Sequence, residues 1–441
     1  MTHDGSGEVP HEWQCAGYSR NTAHVISTYG GGVAYGGTPD DASVVAAIQD
    51  MHARGLSVAF TPFILMDIPA GNTLPKTGGA GTGQPVYPWR GRITKQFTTS
   101  DETSQVAVEV AAFVAQYRTM VLHYANLCAS AGGVEVFLIG TELRGLTWLR
   151  DAAESHPFVA ALIALAADVK AILPASQLTY GADWSEYFGF QPGDGSGDVD
   201  FHLDPLWSDA NISFIGIDNY FPLADWRDTP PNIDGASYVS VRDLNYLMSN
   251  IQGGEGYDWY YASSADRTNQ VRSSITDGAY SKPWVYRFKD MWSWWQNQHY
   301  NRPAGVESAT PTAWVPQSKP IGFTEFGIPS VDKGANQPNV FYDPKSSESA
   351  FPYFSTGASD YSMQNNGINA VLRYFDSTDP NFQASNNPAS SVYSGSMVDL
   401  SLIFVYTWDA RPFPAFPFYT DIWSDGSNYQ YNHWIEGKLG A

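Results

Sequence analysis

The chain has 441 residues, of which 43% are hydrophobic and 15% aromatic, with 15 Trp, 26 Tyr and 23 Phe. That composition excludes a disordered chain and supplies more rings than a core requires, so some of them are expected to line a surface groove. Lys and Arg number 24 against 45 Asp and Glu, and the resulting formal charge of −21 repels phosphate backbones, which excludes nucleic acid as a partner.

The polar start "MTHDGSGEVPHEWQ" reads as carrying no signal peptide, and no apolar stretch reaches membrane-spanning length, so membrane insertion is not expected. Residues 1–20 read as an irregular segment before a first strand candidate, "AHVIST" (23–28). In "TPDDASVVAAIQDMHARGLSVAFTPFILMD" (38–67), Thr38 is a good N-cap with Pro39 at the first helical position, and Asp40 and Asp41 suit the helix dipole. Val44, Val45, Ile48 and Met51 recur at helical spacing, Gly55 stops the helix, and "LSVAFTPFIL" follows as a strand. Residues 101–131 repeat the pattern, with Val106, Val110, Phe113, Val114, Tyr117 and Val121 on one face, a stop at Gly132-Gly133, and the strand "VEVFLIG" after it. "SHPFVAALIALAADVKAIL" is a helix ended by Pro174 and followed by the strand "QLTYGADW". Further strands are expected in "ISFIGIDNYF" (212–221), "KPIGFTEFGIP" (319–329) and "SLIFVYTWDA" (401–410).

Apolar strands separated by helices predict an α/β fold with a parallel sheet covered on its faces. Seven such strands are one short of a (β/α)8 TIM barrel, so the first is either irregular or lies in a larger parent protein from which this single 1–441 domain is excised. Long connections at 72–100, 185–211, 222–283 and 330–395 all follow strands and would build up the C-terminal face, where barrel active sites sit. Of the two cysteines, Cys15 and Cys128, the second lies on a helix and reads as a free buried thiol.

Several expected strands end in polar or aromatic residues: Asp67, Glu142, Asp183 with Trp184, Asp218 with Asn219 and Tyr220, Glu325, and Trp408 with Asp409. Core packing does not need this pattern, whereas carboxylates beside aromatic faces suit carbohydrate. Glu142 in "LIGTELRG" and Glu325 in "IGFTEFGI" share a Thr-Glu form. Two carboxyls about 5–5.5 Å apart would serve a retaining glycosidase as acid/base and nucleophile.

These paired motifs resemble the large clan of retaining (β/α)8 glycoside hydrolases, in which the acid/base follows strand 4 and the nucleophile strand 7. "IGTELRG" with "YPWRGRI" (87–93) is similar to glycoside hydrolase family 113, the β-mannanase-type family. "GGTPDDASVVAAI", "FTPFILMDIPAGN", "YPWRGRI", "DPLW" with "FIGIDNYFPLADWRD", and "FTEFGIPSVDKGANQPNVF" further resemble the TIM-barrel glycoside-hydrolase-like domain of the tail baseplate megatron proteins of gene transfer agents and related phages. The resemblance implies Glu142 as acid/base, Glu325 as nucleophile, Tyr220 as a hydrogen-bond donor to the nucleophile and Trp408 as a sugar floor. Asp67, Trp89, Arg90, Asp183, Trp184, Asp218 and Asn219 complete the expected substrate contacts. Most clan members carry Asn before the acid/base, on the sugar 2-hydroxyl; this chain has Thr141, as family 113 does, so the clan's sugar preference does not carry over.

The implied function is retaining hydrolysis of a polysaccharide, with a bacterial host surface glycan as candidate, in a phage-like tail or baseplate and extracellular on release. No cofactor is needed, and the other partners would be tail and baseplate proteins. The alternative is a glycosidase-like barrel that only binds glycan or only builds the baseplate. Bland roles stand beside the sharp ones: Glu142 pairing with an arginine such as Arg144, Arg90 and Arg92 offsetting acidic excess, and Trp184, Trp207, Trp226, Trp292, Trp294 and Trp295 packing internally. "GDGSGDVDFHLD" (193–204) lacks the glycine and terminal glutamate of an EF-hand loop, so no metal is expected there.

Overall fold

A computed structural model describes residues 27–29, 32–34, 41–64, 66, 68, 70–74, 81–96, 98–342 and 346–406. The chain divides into two compact units, one of residues 1–178, 342–349 and 407–441, the other of 179–341 and 350–406.

In the first unit, β1 (Ser27–Tyr29) and β2 (Gly32–Ala34) pair antiparallel. The end of the expected "AHVIST" strand therefore belongs to a hairpin; residues 23–26 lie outside the described residues. Helix α1 (Asp41–Ala53) leads to β3 (Ala59–Phe60), much shorter than the apolar run "LSVAFTPFIL" that predicted it. Helix α2 (Ser104–Ser130) buries Val106, Val110, Phe113, Tyr117 and Val121 of the expected face, extends it with Tyr124 and Cys128, and leaves Val114 half-buried. It ends where Gly132 and Gly133 take φ of 108° and 96°, conformations open to glycine, with the Gly133 N–H closing on the Cys128 carbonyl at 2.8 Å. Cys128 is free, and burial pushes its thiol up to about 12.

Strand β4 (Val136–Thr141) is buried along its whole length and pairs parallel with β3, Phe60 opposite Phe137. The Tyr117 hydroxyl donates to the Ile139 carbonyl at 2.8 Å, fixing α2 against this strand. A one-turn helix α3 (Arg144–Thr147) follows, then α4 (Pro157–Ile172), which starts on proline and packs Phe158 edge-on against Phe113.

In the second unit, β5 (Gln177–Asp183, its first two residues in the first unit), β6 (Ile215–Asn219), β9 (Ile321–Phe326) and β10 (Val398–Val405) are parallel in the order β10-β9-β6-β5. Gly216 is required here, because a Cβ would lie 2.5 Å from the Tyr180 carbonyl oxygen of the neighbouring strand. The connections between strands carry α5 (Asp204–Trp207), α6 (Leu244–Ser249), the short pair β7 (Trp259–Tyr260) and β8 (Ser273–Ser274), α7 (Ser264–Asn269) and α8 (Met291–Gln296). The connection 330–395, expected without helix, contains α9 (Tyr361–Phe375). Asp360 caps it by accepting from the Met363 N–H at 3.0 Å, Phe375 packs edge-on to Phe323 of β9, and Gly367 lies so close to Ile328 that a Cβ would come within 2.6 Å.

Buried polar groups brace these connections. Asp225 accepts from the Arg272 guanidinium at 2.8 Å, Tyr261 Oη at 2.6 Å and Gln270 Nε2 at 2.9 Å. Lys289 is fully buried, with Nζ donating to the carbonyls of Asn250 at 2.7 Å and Gly253 at 2.9 Å. Burial lowers it to about 7 from an ordinary 10.5. Between those values the unfolded chain holds a proton that the folded chain lacks, so this lysine makes stability rise with pH from about 7 to about 10.5 and penalises folding below that window. We predict that stability by urea unfolding gains up to about 1.4 kcal/mol per pH unit in wild type relative to Lys289→Met across that window. Parallel curves for the two proteins would refute it.

Among the described residues no helix is long and apolar enough to cross a membrane.

Candidate functional site

Glu142 stands immediately after β4 with φ of 50°, in the left-handed region that is uncommon for a residue with a side chain, and its carboxylate is held by its surroundings. Those surroundings come from the W-R-G segment. Trp89 Nε1 donates to Glu142 Oε2 at 2.5 Å, and Arg90 Nη2 lies 3.0 Å from the same oxygen. Arg90 also donates from Nε to the Thr141 carbonyl at 3.1 Å and from Nη2 to Thr141 Oγ1 at 3.3 Å, while its guanidinium covers the Phe63 ring at 3.8 Å. Thr141 thus helps to fix the arginine that meets the carboxylate.

Two glycines permit this docking. Gly91 lies under the Trp89 indole, where a Cβ would come within 2.3 Å of the ring, and a Cβ on Gly145 would lie 2.4 Å from the Ile93 carbonyl oxygen. The glycines of "WRGR" and "ELRG" therefore let the turn at Arg90–Arg92 meet the start of α3.

Arg90 and Glu142 are both buried, with side chains 6% and 9% exposed. Removing one partner of such a pair leaves an uncompensated buried charge. Arg90→Leu is expected to cost about 3–5 kcal/mol in urea unfolding, and Arg90→Leu with Glu142→Leu to recover most of it. A single-variant loss below about 1 kcal/mol would contradict the pairing.

Glu325 is presented differently. Ile217 of β6 lies opposite Phe323 of β9, but Asp218 lies opposite Glu325, so the register slips by one residue and Thr324 is the extra one. A bulge re-aims the side chain that follows it. The Thr324 hydroxyl donates to Asp218 Oδ1 at 2.6 Å, anchoring the bulge, and the buried Tyr220 donates its hydroxyl to Glu325 Oε2 at 2.7 Å. Glu325 itself is half-buried, whereas Asp218 is fully buried.

The sequence from 115 to 417 matches the GTA (gene transfer agent) TIM-barrel-like domain family. The chain belongs to that family. Its fold is accordingly α/β and TIM-barrel-like, as the strand–helix alternation predicted. A similar solved structure is the GH113 β-mannanase of Alicyclobacillus acidocaldarius in complex with ManMIm, at 15% identity, covering 84% of this chain and 68% of that one with a TM-score of 0.36. No curated protein matches the chain.

In this GTA TIM-barrel-like domain the other described contacts have these neighbours. Asp183 ends β5 and accepts from the Ser185 N–H at 2.9 Å and from the Ser185 hydroxyl. Trp184 meets Phe288 edge-on at 4.7 Å, and Asn219 Oδ1 accepts from the Phe221 N–H at 3.3 Å. Asp67 and Trp408 lie outside the described residues. Trp207, Trp294 and Trp295 are core residues, Trp292 is 39% exposed, and Trp226 is half-buried against Tyr246. Arg92 pairs with Glu348 at 2.6 Å, and Arg144 stacks over the Trp89 and Trp148 rings at 4.9 and 4.6 Å. In the acidic stretch 193–204, Asp194 accepts from the Ser196 N–H and Asp198 from the Ala304 N–H, both as loop acceptors.

Proposed function

We propose that this domain is a retaining β-glycoside hydrolase acting on a polysaccharide, with Glu325 as nucleophile and Glu142 as acid/base. The observation that carries the proposal is the pair of Thr-Glu strand ends, each clamped by its own donors: Trp89 and Arg90 on Glu142, Tyr220 on Glu325. A nucleophile profits from a donor that fixes which oxygen attacks, and an acid/base from a fixed orientation toward the glycosidic oxygen.

Glu325 would attack the anomeric carbon while Glu142 protonates the departing oxygen. Glu142 would then take a proton from the water that releases the glycosyl–enzyme ester. The mechanism requires the two carboxyls to approach to about 5–5.5 Å across the bound sugar. Asp67, Asp183, Trp184, Asp218, Asn219 and Trp408 are proposed as contacts around that sugar.

Family membership supports placing the activity in the tail or baseplate of a phage-like particle, on a glycan of the host surface. A hydrolysis and binding screen against β-linked polysaccharides, with wild type and Glu325→Gln side by side, tests the proposal. Turnover by wild type alone supports it, and binding without turnover by both proteins replaces it with a glycan-binding module.

A further inference from the structure

Phe341, a large apolar ring, is 49% exposed, although neighbouring described residues are tied down. Lys333 donates to Asp228 and Asp332 at 2.6 Å each, Asn336 exchanges hydrogen bonds with the Trp226 backbone, and the Ala350 N–H donates to the Phe341 carbonyl at 3.2 Å. The ring meets Tyr220 at 5.6 Å and 88°, and Tyr406 at 5.9 Å and 83°. Tyr220 is the residue whose hydroxyl holds Glu325, so Phe341 sits one ring away from that carboxylate. Tyr406 is itself fixed beside the end of β9: its N–H donates to the Phe326 carbonyl at 2.7 Å, and a Cβ on Gly327 would lie 2.2 Å from the Tyr406 carbonyl oxygen.

Scattered exposed apolar residues are ordinary on a protein surface. Phe341 differs because, among the described residues, its ring meets the donor to the candidate nucleophile and a residue locked to the same strand end. Each Å² of apolar surface it leaves in water forgoes about 25 cal/mol of burial, which a ligand covering the ring would recover. Phenylalanine offers no hydrogen bond, so its partner must present an apolar face. A β-linked hexopyranose of the gluco or manno series does so, because its axial C–H groups at C1, C3 and C5 line one side of the ring.

We propose that Phe341 is a sugar-stacking residue that takes the axial C–H face of a β-linked hexopyranose bound at Glu325; this rests on the glycosidase function proposed above. Tyr220 and Tyr406 buttress the ring edge-on, and the sugar supplies the remaining contact.

The test uses the full chain as wild type, Phe341→Ala, Phe341→Leu and Phe341→Trp. Hydrolysis of β-1,4-linked mannohexaose, cellohexaose and chitohexaose is measured, together with calorimetric binding of the same sugars to each protein in the Glu325→Gln background. Phe341→Ala and Phe341→Leu are expected to raise KM about tenfold with kcat changed less than about threefold, and Phe341→Trp to restore KM. Turnover with KM within about twofold of wild type in Phe341→Ala would overturn the stacking role and leave the glycosidase standing. A fall in kcat and melting temperature shared by all three variants would assign Phe341 to packing and likewise overturn it. Sugar binding that is lost in Phe341→Ala, without turnover by wild type, would keep the stacking role and remove the catalysis it rests on. No binding and no hydrolysis of any of the three sugars overturns both.

Discussion

Glu325→Gln is expected to lower turnover of a susceptible β-glycoside by on the order of 10⁴-fold or more, with the melting temperature unchanged. Glutamine has nearly the shape of glutamate, and its amide oxygen can still accept the Tyr220 hydroxyl that lies 2.7 Å from Glu325 Oε2. The bulge at Thr324, anchored on Asp218, does not depend on the charge of residue 325. What the amide cannot do is form the glycosyl ester, so the loss falls on kcat and the sugar still binds. A 2-deoxy-2-fluoro glycoside with a good leaving group adds a direct observation, because its slow deglycosylation leaves the sugar on the nucleophile. Mass spectrometry should find it on the peptide containing Glu325 in wild type and not in Glu325→Gln. Turnover by Glu325→Gln at the wild-type rate, or a product of inverted anomeric configuration, would rule out this role.

Much of this architecture is written locally in the chain. Helix α2 is legible because its buried residues recur on one face over about six turns, and β4 and β6 because they open on apolar residues and are buried residue by residue. The Thr-Glu strand ends are legible for the same reason: an acid directly after such a run is conspicuous. Helix α9 is not, because its buried Met363, Gly367, Ala370, Val371 and Phe375 are interleaved with Asn365, Asn366 and Asn369, and its glycine reads as a breaker until Ile328 is seen against it. The geometry around the two glutamates is also hidden, because it depends on distant partners. Trp89 reaches Glu142 across 53 residues of sequence, and the slip that isolates Thr324 exists only in the pairing of β9 with β6. The two glycines of "WRGR" and "ELRG" were the available signal for that docking, since each carries a contact that no Cβ would allow.

The second large effect is expected at Glu142, and it depends on the leaving group. Glu142→Gln should slow hydrolysis of natural oligosaccharides by about 10²–10⁴-fold, the range that general acid–base catalysis supplies. Cleavage of a 2,4-dinitrophenyl glycoside, whose leaving group departs without a proton, should be slowed far less in its first step. The limb of the pH–rate profile set by deprotonation of the general acid should disappear with the carboxyl group. Glutamine is the first choice because it keeps an acceptor for Trp89 Nε1 and Arg90 Nη2, the donors that hold the native side chain. Glu142→Gln and Glu142→Ala both take the carboxylate from the buried Arg90, so unfolding curves must accompany the kinetics of both; the cost is expected to reach about 3–5 kcal/mol in Glu142→Ala, which also removes the acceptor. If it stays folded, the space left by the side chain admits azide beside the glycosyl–enzyme. Azide needs no general base, so turnover should recover as a β-glycosyl azide, the configuration that two successive inversions produce. Equal losses on natural and dinitrophenyl substrates, with no azide product, would assign Glu142 to structure and leave the acid/base role to another residue.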